Sequence, residues 1–173
     1  MNTTIISRAA WTVIYVSSIA FINWLFVVIP PVPVPAFNTV FPPVMLVVGF
    51  VFVFRDFCQR AIGHHVLFAM LAGGVVSYFM SAPAVAIASV AAFSISESVD
   101  WLVYTFTRKP LSQRILYSSL ISVPIDTVVF LKLVDLFDFA GSFLVILAKF
   151  GGAVVFWWFL RVREANHLVL VEV

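Results

Sequence analysis

Long apolar runs, interrupted by proline, glycine or charge, set the pattern of this chain. No charged residue occurs between Arg8 and Arg55, and none between Arg60 and Glu97. Crossing the hydrocarbon of a bilayer takes a helix of about 20 apolar residues. The punctuation marks out hydrophobic segments at residues 9–29, 38–57, 65–80, 83–106, 111–134 and 141–160. The pattern predicts an all-α polytopic membrane protein, a single domain built as a bundle of six transmembrane helices. Pro30 and Pro31 stop the first segment, and the run to Pro35 predicts an extended external loop, because proline lacks an amide donor and restricts the residue before it. Pro83 suits the first turn of the fourth helix. The first segment is long for a signal-peptide core and no A-x-A site follows it, so it reads as a retained helix. The tail from Glu164 to Val173 stays unassigned.

Composition agrees with the pattern. Hydrophobic residues make up 63% of the 173 and charged residues 10%, too few charges to cover a soluble surface. The net charge of +2 is small and dispersed, which argues against a nucleic-acid partner. Cys58 is the only cysteine, so no internal disulfide can form. Eight of the ten Lys and Arg fall on alternate connections or ends: Arg8, then Arg55 and Arg60, then Arg108, Lys109 and Arg114, then Arg161 and Arg163. By the positive-inside rule both termini lie in the cytoplasm, for a multi-pass protein of the cytoplasmic (inner) membrane.

Polar groups inside the predicted helices carry the functional signal, because an ionisable side chain at the helix centre faces the bundle or a cavity rather than lipid. Glu97, Asp100, Asp126 and Lys149 are such groups. At about 1.5 Å per residue, Asp126 and Lys149 both lie about 18 Å from the cytoplasmic side, on neighbouring helices, where they would neutralise each other. In the fourth helix Ser89, Ser96 and Asp100 form a stripe, and Glu97 and Asp100 share a face. Two carboxylates so close need a cation or donors nearby. The fifth helix carries Ser118, Ser122 and Asp126 at four-residue spacing around Pro124, a kink site. At the base of the second helix, Arg55, Asp56, Gln59 and Arg60 form a polar cluster with i,i+4 pairs Arg55–Gln59 and Asp56–Arg60. Asn23 is a lone polar residue in the first helix. Trp101 and Tyr104, beside the carboxylates, are placed to stack on a planar ligand. His64 and His65 have no partner at metal-ligand spacing, and no nucleophile elbow or phosphate loop occurs. These readings point to a transporter rather than an enzyme, with no cofactor and no metal.

The same residues carry a family resemblance. Arg55-Asp56-Phe57-Cys58-Gln59-Arg60-Ala61-Ile62-Gly63 resembles the R-D-x-x-Q-R-x-x-G signature of the vitamin-uptake-transporter-like family, or queuosine-precursor transporters. The run from Ala88 to Tyr104 resembles that family's A-S-x-x-A-F-x-x-S-E-x-x-D-x-x-V-Y segment. The run from Ser118 to Phe130 resembles its S-N-x-x-x-x-x-x-D-S-x-x-F segment, with Ser119 where Asn is frequent and Thr127 where Ser is frequent. The likeness spans roughly residues 39–163. It implies import of a 7-deazapurine such as 7-cyano-7-deazaguanine, 7-aminomethyl-7-deazaguanine or queuine. A guanine-like edge offers a ring N–H and an exocyclic amine that one carboxylate can accept as a pair. On this reading Glu97 takes that edge. Asp126, Asn23, Gln59, Ser96 and Lys149 supply polar contacts, Trp101 and Tyr104 stack, and Arg55 with Asp100, Asp56 and Arg60 forms the cytoplasmic gate. The alternative is the substrate-binding subunit of an energy-coupling-factor vitamin importer, which needs small residues on its first helix; Ala9, Ala10 and Ala20 offer a weak version. The expected partners are a purine-like small molecule and the lipid bilayer, with homo-oligomerisation and the energy source left open.

Overall fold

The computed structural model describes residues 3–107 and 109–171, with side chains placed at 7–82, 85–107 and 109–162. Arg108, one of the basic residues used for topology, lies outside the described residues, as do Glu172 and Val173 and the side chains from Arg163 to Val171.

The chain folds into helices α1 (Thr3–Val28), α2 (Met45–Ile62), α3 (Val66–Met80), α4 (Pro83–Phe106), α5 (Leu111–Leu133) and α6 (Phe139–Val171). Four of them, α1, α4, α5 and α6, are long and apolar enough to cross a membrane. α2 carries Arg55, Asp56 and Arg60 within its 18 residues. α3 has 15 residues, about 22 Å of helix at 1.5 Å per residue. The multi-pass, predominantly helical membrane character expected from the sequence is therefore present.

The connection after α1 is more ordered than a plain extended loop. Strands β1 (Val32–Val34) and β2 (Thr39–Phe41) pair antiparallel, with Val32 opposite Phe41 and Val34 opposite Thr39. A single 3-10 turn, Pro35–Phe37, joins them, and Asn38 adopts the left-handed conformation, φ 49°, which its short polar side chain tolerates. This moves the start of α2 from the expected residue 38 to Met45. Pro42 and Pro43 lack amide donors but have free carbonyls, and these accept the N–H groups of Met45 (3.0 Å) and Leu46 (3.1 Å). α6 runs past the expected end at residue 160 to Val171, because no proline or glycine stops it. It begins where Asp138 accepts the Gly141 N–H at 2.7 Å, a capping interaction.

The helices pack in the cyclic order α1, α2, α6, α5, α4, α3 and back to α1, and α2 also touches α4 and α5. Buried Tyr15, Ile19, Val51 and Met70 form the apolar core on the α1–α2–α3 side, and Val53, Ile115 and Ala153 form a second cluster. The outer faces are strongly apolar: Phe79, Ile87 and Phe139 are each more than three-quarters exposed. Such faces suit lipid rather than water.

α2 and α6 approach closely through Gly49 and Gly152. A Cβ on Gly49 would overlap the Lys149 carbonyl oxygen, and one on Gly152 would stand 3.1 Å from the Gly49 carbonyl carbon. Small residues allow such backbone approach between membrane helices. The Gly49→Ala protein is expected to lose about 1–3 kcal/mol of stability by overpacking, read as a lower melting temperature in detergent. Gly151→Ala is the control. A Cβ there meets nothing within 4 Å, so that change leaves stability unchanged or raises it.

Candidate substrate-binding cavity

A cavity of about 760 Å³ opens among the hairpin, the α3–α4 turn and the α5–α6 connection. It runs into the bundle as far as Glu97, Asp126 and Lys149. Phe26, Phe52, Phe93 and Phe130 contribute aromatic wall, and Asn23, Ser77, Ser81 and Ser89 contribute polar wall. The serines and Asn23 are tied across helices. Ser77 and Ser89 hydroxyls lie 3.0 Å apart, and Ser81 donates to Asn23 Oδ1 at 3.3 Å. Asn23 in turn donates to the Ile19 carbonyl at 2.9 Å.

At the inner end, Glu97 is 1% exposed. The Tyr15 hydroxyl donates to its Oε2 at 2.7 Å, and Arg55 Nε lies 3.6 Å from the same oxygen. Beyond Glu97 sits a buried cluster that closes the cavity. Arg55 is fully buried and its Nη1 reaches Asp56 Oδ1 at 2.6 Å and Asp100 Oδ2 at 2.9 Å. Ser118 donates to Asp56 at 3.1 Å and Ser122 to Asp100 at 3.3 Å. One guanidinium thus serves three carboxylates from two helices. The planar fork of arginine, with donors pointing in several directions, suits this role and a lysine would not.

The second charged group is the pair expected from depth. Lys149 Nζ donates to Asp126 Oδ2 at 2.6 Å and to Thr127 Oγ1 at 3.2 Å. Ser96 donates to the other Asp126 oxygen at 3.1 Å. Lysine is nearly buried, and removing it would strand the partner charge. A Lys149→Met protein is expected to lose about 3 kcal/mol. The double change with Asp126→Leu is expected to recover most of it, both read by thermal unfolding.

Of the residues singled out from sequence, Glu97, Asp126, Asn23 and Lys149 line the cavity, and Ser96 touches it through Asp126. Asp100, Arg55 and Asp56 form the closing cluster. Gln59 lies away from the cavity, donating to Thr105 Oγ1 at 2.8 Å, so it does not pair with Arg55 as the i,i+4 spacing suggests. Arg60 is exposed, while Asp56 turns to Arg55 and Ser118 instead. Trp101 packs edge-on against His64 at 5.7 Å. Tyr104 lies under the Arg114 guanidinium, 5.4 Å from the ring centroid. Neither aromatic ring borders the cavity; phenylalanines take that position. Tyr15 and Ser142 also face functional groups or cavity, and sequence reasoning passed over both. Ser142 had a signal, its seven-residue spacing from Lys149; Tyr15 had none. Among the described residues no group of three His, Cys, Asp or Glu is placed to hold a metal ion.

Comparison with protein-family models, curated proteins and solved structures gives no match.

Proposed function

We propose that the chain spans the inner membrane six times and carries a small, planar nitrogen heterocycle across it. The observation that supports this best is a cavity of ligand size, walled by phenylalanine rings, that ends on a buried carboxylate. Ligand sites combine a mostly apolar wall with a few convergent polar groups in this way. Flat apolar surfaces hold a flat ring, and Glu97 can accept two parallel N–H groups from a guanine-like edge. Among the described residues the lining holds Glu97, Asp126 and Asp138 against Lys149, which disfavours a phosphate and so favours a free base over a nucleotide. The resemblance narrows the base to a 7-deazapurine: 7-cyano-7-deazaguanine, 7-aminomethyl-7-deazaguanine or queuine.

In this proposal α2 and α3 are the short spans, completed at the outer face by the hairpin. The termini and the basic connections lie in the cytoplasm, following the positive-inside rule. The cavity then opens outward, and the Arg55 cluster is the closed cytoplasmic gate. Alternating access requires that this cluster separate while the hairpin end closes.

The test is uptake of radiolabelled 7-cyano-7-deazaguanine by liposomes holding only the purified protein. Saturable uptake above that of protein-free liposomes, without ATP or a second protein, is expected. Uptake that appears only with an ATPase partner would favour the energy-coupling-factor reading. No uptake of this base under either condition would remove the substrate assignment.

A further inference from the structure

Ser142 sits at the end of the first turn of α6 and borders the cavity. It is 4% exposed, and among the described residues its hydroxyl has no hydrogen-bond partner. Serines in membrane helices ordinarily turn back onto the preceding turn of backbone. Ser18 and Ser98 do so here, each donating to a carbonyl at 2.6 Å. Ser142 forgoes that bond. A buried hydroxyl left unpaired costs about 1–3 kcal/mol, a cost that is removed when rotation about the Cα–Cβ bond turns the hydroxyl towards a cavity occupant.

α6 places Ser142, Val145 and Lys149 three and four residues apart, so they share one face, and all three line the cavity. Lys149 has three N–H donors. Asp126 and Thr127 take two of them. Its charge is cancelled locally by Asp126, so this wall offers donors without a net positive field. That combination selects a neutral acceptor rather than an anion.

We infer that Ser142 and Lys149 form a subsite on the α6 wall that binds a neutral hydrogen-bond acceptor of the ligand, a carbonyl oxygen or nitrile nitrogen. The inference rests on the proposed reading of the cavity as the ligand site. It makes Ser142 a specificity-determining residue. The ligand is then held between two chemistries: its N–H edge on Glu97 of α4, and its acceptor on α6.

The experiment measures equilibrium binding of 7-cyano-7-deazaguanine to the full chain in detergent by calorimetry, with the ligand-free melting temperature beside it. Ser142→Ala is expected to weaken binding about 3- to 10-fold. Its ligand-free melting temperature stays the same or rises, since an unpaired buried hydroxyl has been removed. Ser142→Thr keeps the hydroxyl and returns affinity to within about twofold of the wild type. If Ser142→Ala binds like the wild type while Glu97→Gln does not bind, the subsite is overturned and the cavity reading stands. If Ser142→Ala lowers melting temperature and affinity together and Ser142→Thr does not restore them, Ser142 is structural and the subsite is likewise overturned. If the wild type itself does not bind this base, the subsite and the substrate assignment fail together.

Discussion

Replacing Arg55 by leucine is expected to cost about 3–5 kcal/mol of stability, among the largest effects of any single change in this chain. The reason is charge left behind. Asp56, Glu97 and Asp100 are each at most 1% exposed, and among the described residues Arg55 is the cation within 4 Å of all three. Removing a partner from a buried ionic group strands the others in a medium that solvates them poorly. Arg55→Lys should restore little, because a single ammonium cannot copy the fork that reaches two helices at once. Adding Asp100→Asn and Asp56→Asn to the leucine protein should recover much of the loss. Thermal unfolding in detergent measures all three. A leucine protein as stable as the wild type would show that the cluster does not hold α2 to α4.

The second large effect concerns binding rather than folding. Glu97→Gln keeps the shape of the side chain and removes one negative charge from a cluster that holds three carboxylates on one guanidinium. Stability should therefore hold or rise. The amide, however, turns one acceptor into a donor, which meets the N–H of the bound base head-on. Losing one charge-assisted bond and facing a donor with a donor is expected to weaken 7-cyano-7-deazaguanine binding about 100-fold. Affinity equal to the wild type would remove Glu97 from the ligand site. Parallel loss of folding would instead mark it as structural.

How far the sequence led can be judged residue by residue. The Asp126–Lys149 pair was legible because helical rise fixes depth, and two opposite charges at equal depth in lipid have few alternatives. The Glu97 and Asp100 pair was legible from spacing alone, since residues three apart share a helix face. Other readings stopped at the limit of local pattern. The i,i+4 rule offered Gln59 to Arg55 and Arg60 to Asp56. It counts only neighbours on one helix, and the carboxylates and hydroxyls of α4 and α5 are stronger partners for groups buried between helices. Trp101 and Tyr104 share a face with Glu97, at four and seven residues' spacing. They miss the cavity because it ends at Glu97, and they lie one and two turns beyond it, against His64 and Arg114. The hairpin was invisible to hydropathy: Val32, Val34, Val40 and Phe41 look as apolar as a helix. Only the prolines and the left-handed Asn38 separate the two. Gly49 and Gly152 carried no signal of contact, because close approach is a property of two helices together.

The hairpin matters to the account because it shapes the cavity mouth. Thr39 of β2 packs where Gly141 opens α6, and a Cβ on Gly141 would stand 2.6 Å from the Thr39 hydroxyl. Hairpin and α6 are thereby coupled at the end opposite the Arg55 cluster. Lys149 lies further down the same helix, backed by Gly49 of α2. In the proposed reading, ligand contact on α6 has a direct mechanical route to both the mouth and the α2 helix that carries Arg55.

One measurement bears most directly on the central claim, that the cavity ending on Glu97 is the ligand site. It is an experimental structure of the full chain with 7-cyano-7-deazaguanine at saturating concentration. The account predicts flat density between the phenylalanine walls, with two ring-edge nitrogens within hydrogen-bond distance of the Glu97 carboxylate. An empty cavity, or the base bound elsewhere with no contact to Glu97, would contradict it.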